Sequence, residues 1–140
     1  MEGKSLLRAY ESARYSVVGP GGHQVTFRVN RQSPALDAVV RHCGASSWVL
    51  ITAHNPESTP TDPLDNRRAH TLLQRVVARA GYRALHGAGA SDDGRWPTEP
   101  GLFVLDIPIN RALMLGRFFR QNAIVSGRVG YAPMLCPTTF

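Results

Sequence analysis

The chain has 140 residues, a formal net charge of +6 and a sequence pI near 10.1. A length of this order supports one domain (residues 1–140) with a self-sufficient core, and no run of ~18 apolar residues offers a membrane span. Cys43 and Cys136 are isolated from one another, and the opening MEGKSLLRAYESAR lacks the apolar core of a secretory signal, so the expected setting is cytoplasmic.

Residues 4–13 read as a short helix. Arg14–Val18 and Gln24–Val29 read as strands around Gly19-Pro20-Gly21-Gly22; Val25, Phe27 and Val29 alternate with polar residues, as on a half-exposed strand. Ser33-Pro34 supplies an N-cap followed by a proline at the first helical position. Leu36, Val39, Val40 and Cys43 follow at helical spacing, and Gly44 closes the helix. Trp48–Ala53 is a continuous apolar strand, expected to be central. Asp62 can cap a helix over 64–80 whose apolar stripe is Ala69, Leu72, Leu73, Val76, Val77 and Ala80, with Gly81 ending it. A short strand over 82–85, a polar loop over 87–99 and an apolar strand over 102–107 come next. Asn110 can cap a helix through Arg120, and 123–125 and 131–135 read as closing strands. The order α-β-β-α-β-α-β-β-α-β-β predicts an α+β or α/β fold: a single-layer mixed sheet with packed helices.

Connectivity brings the polar residues to one edge. If strand 48–53 runs upward, His54 and Asn55 sit at its top and helix 64–80 starts beside them. A right-handed crossover returns strand 82–85 parallel to the first. That brings His86, Trp96 and Glu99 to the same level. Strand 102–107 then descends, helix 110–120 climbs back, and Gln121 and Asn122 arrive at the top. Carboxyl ends of parallel strands are where open sheets favour ligands. At 100° per residue, Asn66 lies over Leu73 on the inward face and His70 on its flank, with Arg68, Arg75 and Arg79 opposite.

The segments "ITAHNP", "DNRRAHTLLQRVVARAGY", "GRWPTEPGLFVL" and "FFRQNAIV", in this order, resemble a bacterial and phage family known only as a domain of unknown function. The resemblance covers about residues 48–126. In that family a strand ends in Thr-Ala-x-Asn-Pro, a helix begins with Asn, Trp-x-x-Glu precedes a second strand, and a helix ends in Gln-Asn-Ala. The resemblance marks Asn55, Pro56, Asn66, Trp96, Glu99, Gln121 and Asn122, and implies a shared fold but no activity. The family often carries Trp where this chain has His54, which argues against His54 as a general catalytic base.

Glu99 is the candidate acid or base, because partial burial between Trp96-Pro97 and an apolar strand raises a carboxyl pKa. The other reading is a carboxylate tied to loop backbone or to an arginine. Asn66 either contacts a ligand or ties down the proline-rich loop. His54, His70 and His86 could converge on a metal, but no local ligand motif is present and no metal is predicted. A Gly-x-Ser-x-Gly elbow is absent, and Gly87–Gly94 has no helix after it to make a phosphate cradle. The expected function is binding of a polar, nucleotide-like or anionic small molecule by His54, Asn55, Asn66, Arg67, His70, Trp96, Gln121 and Asn122, with Glu99 as the one candidate catalytic group. Whether the protein is an enzyme, and with what cofactor, is left open. The alternative is an adaptor or inhibitor that binds nucleic acid or protein through Arg68, Arg75 and Arg79.

Overall fold

A computed structural model describes residues 3–138. Its elements, in chain order, are α1 (Gly3–Ser12), β1 (Arg14–Val18), β2 (Gln24–Phe27), α2 (Pro34–His42), β3 (Ser47–Ile51), a 3-10 turn (Pro56–Ser58), α3 (Pro63–Arg79), β4 (Ala84–Ala90), β5 (Glu99–Leu105), α4 (Ile109–Phe118), β6 (Ala123–Arg128) and β7 (Met134–Pro137). The fold is α+β with the expected element order. The strands form one curled, half-barrel sheet in the order β2-β1-β4-β5-β3-β6-β7.

Every ladder is antiparallel, so the sheet is not mixed. β3 and β4 do point the same way, as the connection through α3 was expected to arrange. However, β5 folds back from β4 and inserts between the two, pairing with both in antiparallel register. The directions of the individual elements are those read from connectivity; only the strand between them was missed.

Both faces of the sheet are covered, which is why β3 reads as continuous apolar sequence. Trp48 and Leu50 face α2 together with Tyr15, Phe27, Leu36, Val40 and Phe103. Trp48 stacks on Phe103 at 4.5 Å. Val49 and Ile51 face the opposite way, beneath Leu73 and Val77 of α3 and Ala112 of α4. On α3 only Asn66, Leu73 and Val77 are buried; Leu72 is 45% exposed, so the apolar stripe is narrower than its spacing implies.

Ser33 Oγ accepts from Leu36 N at 3.1 Å and Asp62 Oδ1 from Leu64 N at 2.8 Å, so both expected caps are present. Asn110 is not a cap; α4 starts one residue earlier, after Pro108, without a side-chain cap. The expected strand 82–85 is the longer β4, which absorbs Gly87-Ala88-Gly89-Ala90 from the predicted loop and leaves only 91–98 irregular. These glycines permit close approach. A Cβ on Gly87 would stand 2.6 Å from Leu50 Cδ1, and one on Gly89 3.2 Å from the Tyr15 ring. His86 consequently lies within β4, opposite Leu102 on the α3–α4 side, not at the top of the sheet. Of the closing strands, the first starts at 123 as expected and runs on to 128, while the second shifts to 134–137.

Candidate functional site

Beyond β3 the chain leaves the sheet because Thr52 redirects its hydrogen bonds. Its Oγ1 donates to Pro100 O at 2.8 Å and accepts from His54 N at 3.1 Å. Asn55 then takes a left-handed conformation (φ 48, ψ 64), and Glu57 and Ser58 follow at φ 58 and 59. Side chains favour this region little outside Asn and Asp, so the turn must be held from outside. Glu57 N donates to Arg120 O at 2.7 Å, and the Arg120 guanidinium pairs with the Glu57 carboxylate at 2.7 Å. Asn122 Nδ2 donates to Ser58 Oγ at 2.9 Å, and Tyr10 shares a hydroxyl–hydroxyl bond with the same oxygen.

Two asparagines form the centre of the junction. Asn55 N donates to Asn66 Oδ1 at 2.8 Å, and Asn66 Nδ2 returns a bond to Asn55 Oδ1 at 3.0 Å. Thr61 N also reaches Asn55 Oδ1 at 3.0 Å, and Asn66 Nδ2 reaches Thr61 O at 3.4 Å. Asn66 is thus buried and ties the proline-rich loop to the end of β3. Asn55 keeps its own Nδ2 for Glu99, donating to Oε2 at 2.8 Å. Gln121, also buried, clamps the neighbouring backbone through His54 O at 3.1 Å and Phe119 O at 3.2 Å.

Glu99 is the first residue of β5 and lies opposite Gly89, which in turn lies opposite Tyr15. No basic side chain forms an ion pair with it among the described residues. Burial raises its carboxyl above the ordinary range, and the Asn55 amide partly offsets this. The Tyr15 hydroxyl donates to Tyr10 O at 2.6 Å. Burial pushes that phenol far up, with Tyr10 and Glu99 adding to the shift.

These groups surround a cavity of about 550 Å³. Volumes of this size hold small organic ligands. α1 closes one side with Leu6, Ala9 and Tyr10, Leu50 and Leu135 contribute apolar floor, and Trp96 stands at the loop side. Tyr10 and Trp96 meet edge to face, 6.5 Å apart at 81°. Ser91 Oγ bonds both Trp96 N and Trp96 O at 3.2 Å, which fixes the loop that carries the indole.

Of the residues expected here, His54, Asn55, Asn66, Arg67, Trp96, Glu99 and Gln121 line the cavity. Asn122 does not line it and instead holds the turn at Ser58. His70 also lies outside. Its ring meets His54 edge to face at 5.8 Å, and its buried Nδ1 has no hydrogen-bond partner among the described residues. Burial lowers both imidazole pKa values; His54 is lowered further by His70, and His70 by His86. Among the described residues no group of three or more His, Cys, Asp or Glu is arranged to hold a metal. Arg68, Arg75 and Arg79 are exposed on α3, away from the cavity. Sequence reasoning missed Tyr10, Tyr15, Ser58 and Gly101. The alternation in Arg14–Val18 marks Tyr15 as inward, but nothing local shows that α1 folds over it.

The family model described as "Protein of unknown function (DUF3293)" matches residues 51–124. The chain belongs to this DUF3293 family. The DUF3293 match runs from the end of β3 into β6, and so contains the whole amide–carboxyl junction. α1 and β1, with Tyr10 and Tyr15, lie outside it. No curated protein and no solved structure matches the chain. No helix among the described residues is long and apolar enough to cross a membrane.

Proposed function

We propose that this cavity binds a small organic molecule, with an aromatic or apolar body against Leu50, Leu135 and Trp96 and a hydrogen-bonding head at Glu99. The observation that carries this reading is the Glu99 carboxyl itself. It borders an apolar cavity, one oxygen is held by an amide, and no basic side chain among the described residues forms an ion pair with it. A carboxyl in such surroundings lacks partners that a ligand can supply. The nucleotide-like form of the reading draws on Trp96 as a stacking surface and on donor-rich base edges as partners for Glu99. Arg67 at the rim would then meet an anionic tail. A carboxyl whose pKa is raised by burial is also suited to proton transfer, so any catalytic role would fall to Glu99.

Thermal-shift and native mass spectrometry screens of nucleosides, nucleotides and small amines test the proposal. A bound compound should lose affinity in Glu99→Gln while the variant stays folded. A ligand whose affinity is indifferent to both Glu99→Gln and Trp96→Leu would refute the assignment. The adaptor reading keeps one support, the exposed row of Arg68, Arg75 and Arg79. It requires binding to mixed-sequence DNA or RNA that weakens with salt and disappears when the three charges are removed.

A further inference from the structure

We infer that the head group this cavity selects is an organic ammonium, seated between the Glu99 carboxylate and the rings of Tyr10, Tyr15 and Trp96. The inference rests on the small-molecule reading of the same cavity and sharpens its ligand class. Three aromatic side chains, from α1, β1 and the loop 91–98, line the space that Glu99 also lines. Two of them, Tyr10 and Trp96, stand at right angles, like adjoining walls of a box.

Sheet register gives the space between them. Tyr15, Gly89 and Glu99 form one cross-strand row, with glycine in the middle position. Side chains in such a row share a face of the sheet. The missing Cβ at Gly89 lets the Tyr15 ring lie close over the strand, 3.2 Å from where that atom would stand, which brings the phenol into the same row as the carboxyl. One row away, Gly101 lets Leu50 lie over the sheet as the apolar floor; a Cβ there would stand 3.3 Å from Leu50 Cδ1 and 2.8 Å from Ile51 O.

Ammonium groups suit these surroundings on two counts. Cations are attracted to aromatic faces, most strongly when desolvated, and aromatic cages recognise quaternary ammonium by this means. A half-buried carboxylate with no ion-pair partner among the described residues gains a counter-charge from a bound cation. Among the described residues the competing cation is Arg67, which also lines the cavity, but its side chain is exposed near the start of α3 and forms no ion pair with Glu99. Among the described residues, the remaining titratable groups around the space are Tyr10 on α1, Tyr15 on β1 and His54 beyond β3. Tyr15 is held neutral by burial, and His54 is biased towards its neutral form. Glu99 is therefore the group whose ionisation follows ligand charge.

The test is calorimetry at neutral pH with choline, its neutral isostere in which carbon replaces nitrogen, and adenosine monophosphate. Choline should bind at least about tenfold more tightly than the isostere, the factor that 1.4 kcal/mol of charge recognition provides. In Glu99→Gln this preference should vanish while affinity for the isostere is kept, and choline binding to the unaltered protein should weaken as pH falls and Glu99 protonates. The wild-type comparison stands even if the variant fails to fold. Equal binding of choline and isostere, or no choline binding at all, overturns the inference. Binding of the nucleotide without choline overturns it too, yet leaves the small-molecule reading standing. Indifference of every bound ligand to both Glu99 and Trp96 retires both.

Discussion

Replacing Asn55 by alanine should cost the protein about 3–4 kcal/mol. Three side-chain hydrogen bonds disappear: Nδ2 to Glu99, and those that Oδ1 accepts from Thr61 N and Asn66 Nδ2. Glu99 and Thr61 keep some access to water, and Asn66 Oδ1 still accepts from the backbone N of residue 55, while the buried Asn66 Nδ2 retains only the long contact to Thr61 O at 3.4 Å. About 1 kcal/mol for each bond is the appropriate scale. Alanine at φ 48 adds about 1 kcal/mol of backbone cost, which Asn tolerates better and glycine avoids. Asn55→Gly should therefore lose only about 2–3 kcal/mol. Urea unfolding followed by circular dichroism gives both values, with the slope m unchanged if the native state keeps its compactness. The loss in Asn55→Ala amounts to about 10 °C in Tm at this chain length. An alanine variant within 1 kcal/mol of wild type, or a glycine variant less stable than alanine, refutes the account of the junction as the pin of the loop.

Gly101→Ala forces a Cβ against Ile51 O at 2.8 Å, in the centre of the sheet, and should destabilise by about 1–3 kcal/mol in the same assay; a neutral result would mean that β3 and β5 are free to separate there. Glu99 has a raised pKa in the folded state, so its contribution to stability is full below the ordinary 4.5 and is lost as pH rises through the raised value. Urea midpoints measured from about pH 4 to 8 should accordingly show Glu99→Gln gaining on wild type as pH increases. His70 behaves oppositely: its lowered pKa gives a contribution that is present above 6.5 and lost as pH falls through the lower value. His70→Gln should flatten that acidic limb, and an unchanged profile would mean that the imidazole is as free in the fold as in the unfolded chain.

Periodicity and punctuation made much of this fold legible. Ser33-Pro34 and Asp62-Pro63 mark their helix starts because capping is a local interaction. Asn66 was visible as an inward amide because helix phase alone places it over Leu73. The Gly87–Ala90 stretch was misread because its glycines look like loop until Leu50 and Tyr15 are known to lie above them. The strand β5 between β3 and β4 was equally hidden, since pairing partners are chosen across long stretches of chain. At the site, Asn55, Trp96 and Glu99 reach one cavity by connectivity that could be reasoned out. That Tyr10 and the inward Tyr15 share this cavity could not be anticipated, because the docking of an N-terminal helix leaves no local mark.

The insertion of β5 also bears on how the protein reaches its native state. β4 and β5 are neighbours in sequence, joined only by residues 91–98, and can pair early as a hairpin. β3 is separated from them by the whole of α3, and it meets β5 only when that hairpin docks along its open side. The bond from Asn55 to Glu99 spans this seam. The cavity is complete only once that long loop has closed, and a ligand bound there would bridge both sides of the seam.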